Sequence, residues 1–186
     1  MTYHLTAPFT KEDAAKLRAG DSVLISGVIW SARDAAHKRM CELLDGGKPL
    51  PLPIEGSVIY YMGPSPAQPG IPIGAAGPTT SYRMDAYAPR LLNLGELGRI
   101  GKGKRSGEVV DAMKRNGAVY LGATGGAGAL LSRCITAAEV VAWPDLGAEA
   151  LMRLEVTDFP TVVIIDSLGN NLYETGPQAY RDAHNK

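Results

Sequence analysis

The feature of this chain that most constrains its fold is the alternation of short β-branched runs with segments of helical periodicity. The strand-like runs cover residues 22–30, 57–62, 118–121, 139–143, 152–155 and 161–166. The helical patterns cover residues 11–18, 32–44, 84–92, 107–115 and 128–131. Strands that alternate with helices are typical of an α/β fold, so we predict a mixed sheet flanked by helices.

The segments between these elements are predicted to be irregular. Residues 65–78 are rich in Pro, Gly and Ala, and we predict an ordered loop there, with a flexible linker as the alternative. Residues 97–106 are predicted to be a connection, and residues 168–171 form a turn after the last strand. The first four residues are expected to lead into a polar helix.

Size and charge exclude several classes of protein. A length of 186 residues predicts one domain, residues 1–186, that can bury a core without disulfides or a metal. Basic and acidic residues number 19 each, so we expect neither nucleic-acid nor membrane binding. Cys41 and Cys134 match no metal-ligand spacing, which favours reduced thiols. With no signal region and no apolar run of ~18–20 residues, a cytoplasmic location is expected.

Residues 77–85, which read Gly-Pro-Thr-Thr-Ser-Tyr-Arg-Met-Asp, are predicted to hold a small anion. If a helix opens here, its unpaired N–H groups and positive dipole end would face the same way as the hydroxyls of Thr79 and Thr80. Arg83 adds a cation that can hold a carboxylate with two hydrogen bonds. The alternative for one of the two threonines is a helix cap only.

Further cations follow strands or Gly/Pro turns near the starts of predicted helices. They are Arg33, Lys102, Lys104 and Arg105. Ligands of open α/β sheets collect at strand ends, so two or three cations that converge there would suit a ligand with two carboxylates. The alternative is that each of them is a solvated surface charge.

Other polar residues near these cations are assigned supporting roles. His37 lies four residues after Arg33 on the same helical face and is interpreted as structural, with a hydrogen-bonding role behind the site as the alternative. The acidic residues close in sequence to a cation are expected to be ion-pair partners: Asp34, Asp85 and Glu108. The glycine-rich residues 122–128 lack the Gly-Lys-Ser/Thr ending of a P-loop, which favours close strand–helix packing or an anion-facing backbone.

Several motifs together resemble the C-terminal (β) part of class I fumarate hydratases and the related L-tartrate dehydratases. The first motifs are Arg33-Asp34-Ala35-Ala36-His37, Gly77-Pro78-Thr79-Thr80 with Arg83-Met84-Asp85, Ile100-Gly101-Lys102-Gly103-Lys104-Arg105-Ser106, and Tyr120-Leu121-Gly122 with Gly125-Gly126. The later motifs are Glu139-Val140-Val141 with Pro144-Asp145-Leu146-Gly147, Glu155-Val156-Thr157-Asp158-Phe159-Pro160, and Asp166-Ser167-Leu168-Gly169-Asn170. They cover nearly the whole chain in the family's order. The family often has Ala-Gly at Ser81-Tyr82 and Asn at Lys104, and these departures bear on the substrate rather than on the reaction type.

The resemblance implies a swivelling β/β/α domain and a division of labour between two chains. In this family a partner α domain binds a [4Fe–4S] cluster through three cysteines and leaves one iron open to substrate. The implied protein is therefore the β subunit of a hetero-oligomeric hydro-lyase that reversibly hydrates fumarate to L-malate. It would bind no cluster itself and would be inactive without the cluster-bearing α subunit.

The resemblance also implies roles for individual residues. Thr79 corresponds to the hydroxyl proposed as catalytic base, and Thr80 to a hydrogen-bond partner of the substrate. Arg33, Arg83 and Lys102 correspond to the cations that bind the substrate carboxylates. Three alternatives stay open: a tartrate dehydratase β subunit that forms oxaloacetate, an anion-binding module without catalysis, and a nucleotide binder, which the missing P-loop lysine disfavours.

Overall fold

The computed structural model describes residues 1–184 and confirms a mixed α/β fold built on one seven-stranded sheet. The strands are β1 Thr2–Ala7, β2 Ser22–Ser31, β3 Val58–Tyr60, β4 Gly98–Gly101, β5 Val119–Gly122, β6 Ile135–Ala142 and β7 Leu151–Ile165. The α-helices are α1 Lys11–Lys16, α2 Asp34–Asp45, α3 Ala88–Leu92, α4 Gly107–Asn116, α5 Gly128–Leu131 and α6 Leu172–His184. Short 3₁₀ segments cover Ser81–Met84, Ser132–Cys134 and Pro144–Glu149.

The sheet contains a parallel half and an antiparallel half. Strands β1 to β5 pair in parallel in chain order, and β7 pairs antiparallel with β5, with β6 and with β2. Because β7 returns to β2, the strands β2, β3, β4, β5 and β7 form a closed ring. The carboxyl ends of the parallel strands β2 to β5 therefore meet at one rim of the molecule.

The core is divided between the two faces of the sheet. On β3, Val58 and Tyr60 belong to one apolar cluster, and Ile59 belongs to the other, as the two-residue period of a strand requires. Helices α1, α4 and α5 contribute buried residues to the first cluster, and α2 contributes Ala36 and Met40 to the second. Helices therefore flank the sheet on both faces, as predicted.

Local signals in the sequence fix several helix ends. Thr10 and Asp13 form a capping box at the start of α1, with Asp13 N–H donating to Thr10 Oγ1 over 3.1 Å. Ser106 caps α4 by accepting from Val109 N–H, and Gly117 ends this helix in the left-handed conformation with φ 70°. These short-range patterns are the reason that sequence periodicity located α1 and α4 well.

Two strands lie where no strand was predicted. β1 occupies residues expected to lead into a helix, and β4 lies inside the predicted connection. β4 is buried along its whole length, and a Cβ atom added to Gly98 would lie 2.9 Å from Val58 Cγ2. The glycine is thus required by close packing between strands, although a glycine-rich run of this length predicts a loop.

Three further predictions need correction. The helix predicted at residues 84–92 is divided, because α3 begins only at Ala88. The two strands predicted at 152–155 and 161–166 are one strand, β7, which stays paired with β2 on both sides of Asp158. Helix α6 follows the predicted turn and was missed; it contains Gly176 and Pro177, residues that usually end a helix, and none of its residues is buried.

The predicted ordered loop at residues 65–78 is confirmed. It contains no helix or strand, but Ile73 and Ala76 are buried in the core, and Tyr60 donates a hydrogen bond to the Ala76 carbonyl over 2.5 Å. Within residues 1–184, no helix is both long and apolar enough to cross a bilayer.

Candidate anion site at the rim of the parallel strands

The predicted site residues lie at the rim where β2, β3, β4 and β5 end. Arg33 follows β2, Lys102 follows β4, and residues 77–83 cross the ends of β3 and β4. Thr79 N–H donates to the Tyr61 carbonyl over 2.7 Å, and Thr80 forms an isolated parallel bridge with Lys102. Backbone pairing therefore brings the two threonines and the lysine together, although 21 or more residues separate them in sequence.

The prediction that a helix opens at residues 77–85 is wrong. The structure has only a 3₁₀ turn, Ser81–Met84, and Thr80 makes no side-chain cap at its start. A single turn carries little dipole, so the positive charge at this rim comes from side chains. Within the described part of the chain, neither threonine hydroxyl forms a hydrogen bond, and both residues are half-buried.

Arg33 and Arg83 are brought together by one carboxylate. Arg83 Nη2 donates to Asp34 Oδ2 over 3.0 Å, and Arg33 Nε lies 3.7 Å from Asp34 Oδ1. The side chain of Arg33 is 20% exposed and that of Arg83 is 42% exposed, so both guanidinium groups reach solvent. Asp34 is thus the ion-pair partner that the sequence predicted, and it connects residues from two different segments.

A second carboxylate holds Arg33 from the other side. Glu149 Oε1 lies 3.0 Å from Arg33 Nη2, and Glu149 Oε2 accepts a hydrogen bond from Ala35 N–H at the start of α2 over 3.3 Å. A Cβ atom added to Gly63 would lie 2.9 Å from Arg33 Nη1, so a side chain at this position would displace the guanidinium group. Spacing in the sequence carries no signal for Glu149, because this residue ends the 3₁₀ segment Pro144–Glu149 and reaches Arg33 only through tertiary packing.

Lys102 completes the cationic rim. Its side chain is exposed, and it forms no ion pair with any residue between 1 and 184. A Cβ atom added to Gly125 would lie 3.7 Å from Lys102 Nζ, so the glycine-rich turn after β5 lies beside the ammonium group. The close-packing interpretation of that turn is also supported, since a Cβ on Gly128 would lie 2.9 Å from the backbone of Gly77.

His37 lies behind the site and is buried. Its Nδ1 contacts the Arg33 carbonyl over 2.8 Å, which identifies Nδ1 as the protonated nitrogen of the neutral ring. Burial, with the charges of Arg99 and Arg105, lowers the pKa of His37 from 6.5 to about 3. The structural interpretation of His37 therefore holds, and its carbonyl contact helps to fix the backbone of Arg33.

Arg105 is not a solvated site cation, contrary to the prediction that grouped it with Lys102 and Lys104. Its side chain is fully buried, and its Nε donates to Asp85 Oδ1 over 2.7 Å. The guanidinium carbon lies 5.2 Å from the Tyr61 ring centroid and 5.0 Å from that of Tyr120. Such stacking stabilises a buried cation, so this residue is part of the core rather than of the rim.

Sequence reasoning missed a buried network around the Tyr61 hydroxyl. Arg99 is fully buried and donates to Tyr61 Oη, to Glu96 and, over 3.0 Å, to the Ala88 carbonyl. Burial raises the pKa of Glu96. Arg105 Nη1 reaches the same hydroxyl over 3.3 Å. Arginine between glycine and isoleucine in a short run carries no sequence signal for full burial.

The geometry of this rim suits a small anion with more than one carboxylate. Arg33, Arg83 and Lys102 lie at this rim, and two carboxylates, Asp34 and Glu149, partly compensate the two arginines. These five side chains sum to one positive charge, which favours an anion. For a metal, by contrast, residues 1–184 contain no group of three or more His, Cys, Asp or Glu side chains that could bind an ion.

Comparisons with known proteins show which family this chain resembles. The family described as "Fumarase C-terminus" matches residues 2–176. The chain is 42% identical to "Fumarate hydratase class I, anaerobic" of Escherichia coli over 81% of its length, and 38% identical to "Fumarate hydratase 2" of Leishmania major over 88%. It covers only 28% and 29% of those two proteins. It is also 38% identical to "Putative L(+)-tartrate dehydratase subunit beta" of Methanocaldococcus jannaschii, covering 88% of that protein.

Proposed function

Because this chain belongs to the fumarase C-terminus family, we propose that it is the substrate-binding β part of a hydro-lyase that interconverts fumarate and L-malate. The chain spans less than a third of the fumarate hydratases that it resembles, so the active enzyme would need a further cluster-bearing part. We place that part on an α subunit, in a hetero-oligomer. The cytoplasmic location stays a prediction.

One observation carries the proposal: Arg33 and Arg83 contact the same carboxylate, beside two threonine hydroxyls without protein partners and an unpaired Lys102. A dicarboxylate needs cations at both ends and a proton-transferring group between them. The geometry offers guanidinium groups from two segments, and each can bind a carboxylate with two hydrogen bonds.

The cations would act mainly in the transition state. L-malate loses a proton from the carbon next to a carboxylate, and negative charge then builds on the carboxylate oxygens. Fixed donors directed at those oxygens stabilise that charge more than they stabilise the ground state. Loss of one such donor typically costs ~3–4 kcal/mol, or about 10²–10³ in rate. We assign these donors to Arg33, Arg83 and Lys102, and we assign hydrogen bonding to the substrate to Thr80.

Thr79 is the proposed base. A threonine hydroxyl is neutral at pH 7 and must be activated by its surroundings. Because the 3₁₀ turn at Ser81–Met84 supplies little dipole, activation would rest on the neighbouring cations, chiefly Lys102 and Arg83. The alternative is that Thr79 only orients the substrate and that the base comes from the partner.

The [4Fe–4S] cluster that the family implies does not fit the residues of this chain. Residues 1–184 offer no suitable ligand group, and Cys41 and Cys134 are separate, half-buried free thiols. Burial raises the pKa of both thiols, which disfavours the thiolate form that binds iron. We therefore assign the cluster to the partner subunit.

Tartrate dehydration is the second candidate reaction. It is favoured by one observation, the match that covers 88% of a tartrate dehydratase β subunit, a relative of similar size to this chain. Both substrates carry two carboxylates, so the three cations would serve either one. Tyr82, which is 66% exposed beside Arg83, and Lys104 are the residues of this rim that could separate them.

Anaerobic co-expression with a cluster-bearing α-type chain tests the proposal. We expect the purified pair to form fumarate from L-malate, and we expect neither chain alone to do so. Faster formation of oxaloacetate from tartrate would assign the second reaction instead. An intact pair with a full cluster and no turnover of either acid would leave only the anion-binding module.

A further inference from the structure

Each backbone N–H and C=O group of Lys102 and Gly103 forms a hydrogen bond with another part of the protein. Lys102 N–H donates to Ser81 Oγ over 3.1 Å, and the Lys102 carbonyl accepts from Ser81 N–H over 2.9 Å. Gly103 N–H donates to Tyr173 Oη over 3.1 Å, and its carbonyl accepts from Tyr120 Oη over 3.0 Å. Exposed loops seldom have all their backbone groups bonded to protein, so this loop is held unusually firmly.

Three hydroxyl groups from separate elements make most of these bonds. Ser81 follows the threonine pair, Tyr120 belongs to β5, and Tyr173 belongs to α6. Ser81 Oγ and Tyr120 Oη also bond to each other over 2.8 Å, so two of the three hydroxyls act as one unit. Ser81 and Tyr120 are buried, which shields their bonds from competing water.

These hydrogen bonds matter for the candidate site because they connect the threonine segment to the Lys102 loop. Ser81 directly follows Thr80, and it ties that segment to Lys102 by both its backbone and its side chain. Gly103 has φ 86°, a left-handed conformation that glycine adopts without strain and that turns the chain sharply after the lysine. The distance between the threonine hydroxyls and the lysine therefore depends on Ser81 and on the tyrosines beyond it.

We propose that Ser81, Tyr120 and Tyr173 are positioning residues that hold Lys102 in register with the threonine pair. They do not touch the substrate; they act through the Lys102 loop. This inference rests on the proposed function for its catalytic consequence, but the bonding of the loop does not depend on it. Misplacement of a catalytic group by about 1 Å can cost on the order of 10²-fold in rate, so such bonds matter.

Amide hydrogen exchange on the chain alone tests whether these hydroxyl groups hold the Lys102 loop. Tyr173→Phe keeps the ring and removes the acceptor of Gly103 N–H, so exchange of that amide should accelerate about fivefold, the typical effect of one hydrogen bond. The matched control is Tyr180→Phe on the same helix, where the exposed ring stacks on His184. Unchanged exchange at Gly103 in Tyr173→Phe would overturn the proposal.

A double-mutant cycle in the reconstituted pair tests whether Tyr120 affects catalysis through Lys102. Tyr120→Phe keeps the ring that Arg105 contacts, and we expect kcat/KM for L-malate to fall about tenfold. In a Lys102→Ala background the same change should cost less than about twofold, because the loop then has no ammonium group to position. A tenfold loss in both backgrounds would show that Tyr120 acts elsewhere and would overturn the proposal.

The two arms separate this inference from the proposed function. If the wild-type pair converts neither malate nor tartrate, the proposed function fails, and exchange at the Lys102 and Gly103 amides alone decides the bonding of the loop. If the pair is active, the cycle decides whether the three hydroxyls act through Lys102. Ser81→Ala removes both the acceptor of Lys102 N–H and the bond to Tyr120 Oη, so exchange of the Lys102 amide should accelerate. Unchanged exchange there would overturn the proposal.

Discussion

Arg33 and Arg83 lie 50 residues apart in sequence and contact opposite oxygens of one carboxylate, that of Asp34. Two guanidinium groups so close together repel each other, and the carboxylate between them offsets that repulsion. Partly exposed ion pairs contribute little to folding, ~0–1 kcal/mol each, so stability alone gives little reason for the arrangement. It does keep two cations near each other before any substrate arrives, and it lowers the cost of organising them.

Arg83→Lys tests whether the geometry of this cation matters beyond its charge. A lysine keeps the charge but cannot bind a carboxylate with two parallel hydrogen bonds. We expect kcat/KM for L-malate to fall about 10²-fold in the reconstituted pair. The control is the reverse substitution Lys38→Arg on the exposed face of α2, away from the site, which should leave kcat/KM for L-malate unchanged. An unchanged kcat/KM in Arg83→Lys would argue against carboxylate binding by Arg83.

Thr79→Ala tests the proposed base. Its hydroxyl forms no hydrogen bond within residues 1–184, so its removal leaves no buried partner unsatisfied. We expect kcat to fall by about 10²-fold or more while KM changes little, because proton transfer occurs only in the transition state. Thr79→Ser keeps a hydroxyl and should retain most of the activity. Near-normal kcat in Thr79→Ala would remove this residue from the mechanism.

Gly101→Ala tests the packing that brings β4 against the site. An added Cβ would lie 2.1 Å from Ser81 Oγ and 2.9 Å from Tyr61 Cδ2, both on buried side chains. We expect the free energy of unfolding to fall by about 1–3 kcal/mol in denaturant titrations. Gly107→Ala is the control: nothing lies within 4 Å of its added Cβ, so the change should be neutral or stabilising by up to ~1 kcal/mol. Equal stabilities of the two variants would contradict this packing.

His37→Gln tests the buried neutral imidazole through pH. The pKa of His37 is lowered from 6.5 to about 3 in the folded chain, so between these values only the unfolded chain takes up the proton. The wild type should therefore lose ~1.4 kcal/mol per pH unit relative to His37→Gln as pH falls from 6.5 towards 3. Above pH 6.5 the difference between the two should be constant. Parallel stability curves across the acidic range would mean that His37 is charged in the fold.

Local sequence patterns predict much of the fold, and the elements that they do not predict have physical explanations. The capped helices α1 and α4 and the β-branched strand β2 were located from sequence because their signals are short-range. Strand β4 differs from the predicted connection because close neighbours exclude side chains at Gly98 and Gly101, and such glycines are typical of a loop. Helix α6 differs from the prediction because Gly176 and Pro177 lie inside it, and both residue types usually mark the end of a helix.

The site could be predicted only in part. The prediction that Arg33, Thr79 and Lys102 follow strands or turns agrees with the structure, which brings all three to one rim of the sheet. The contacts between segments could not be read from spacing. Glu149 reaches Arg33 from the loop between β6 and β7, and Arg105 turns inward because Asp85 and two tyrosine rings offset its burial. Both depend on tertiary packing.

A structure of the anaerobic αβ complex with L-malate bound is the most direct test of the central claim, that Arg33 and Arg83 bind one dicarboxylate together. We predict that both guanidinium groups lie within ~3 Å of malate carboxylate oxygens, with the Thr79 hydroxyl next to the carbon that loses its proton. Malate bound in the complex with Arg33 and Arg83 still held only by Glu149 and Asp34 would contradict the account.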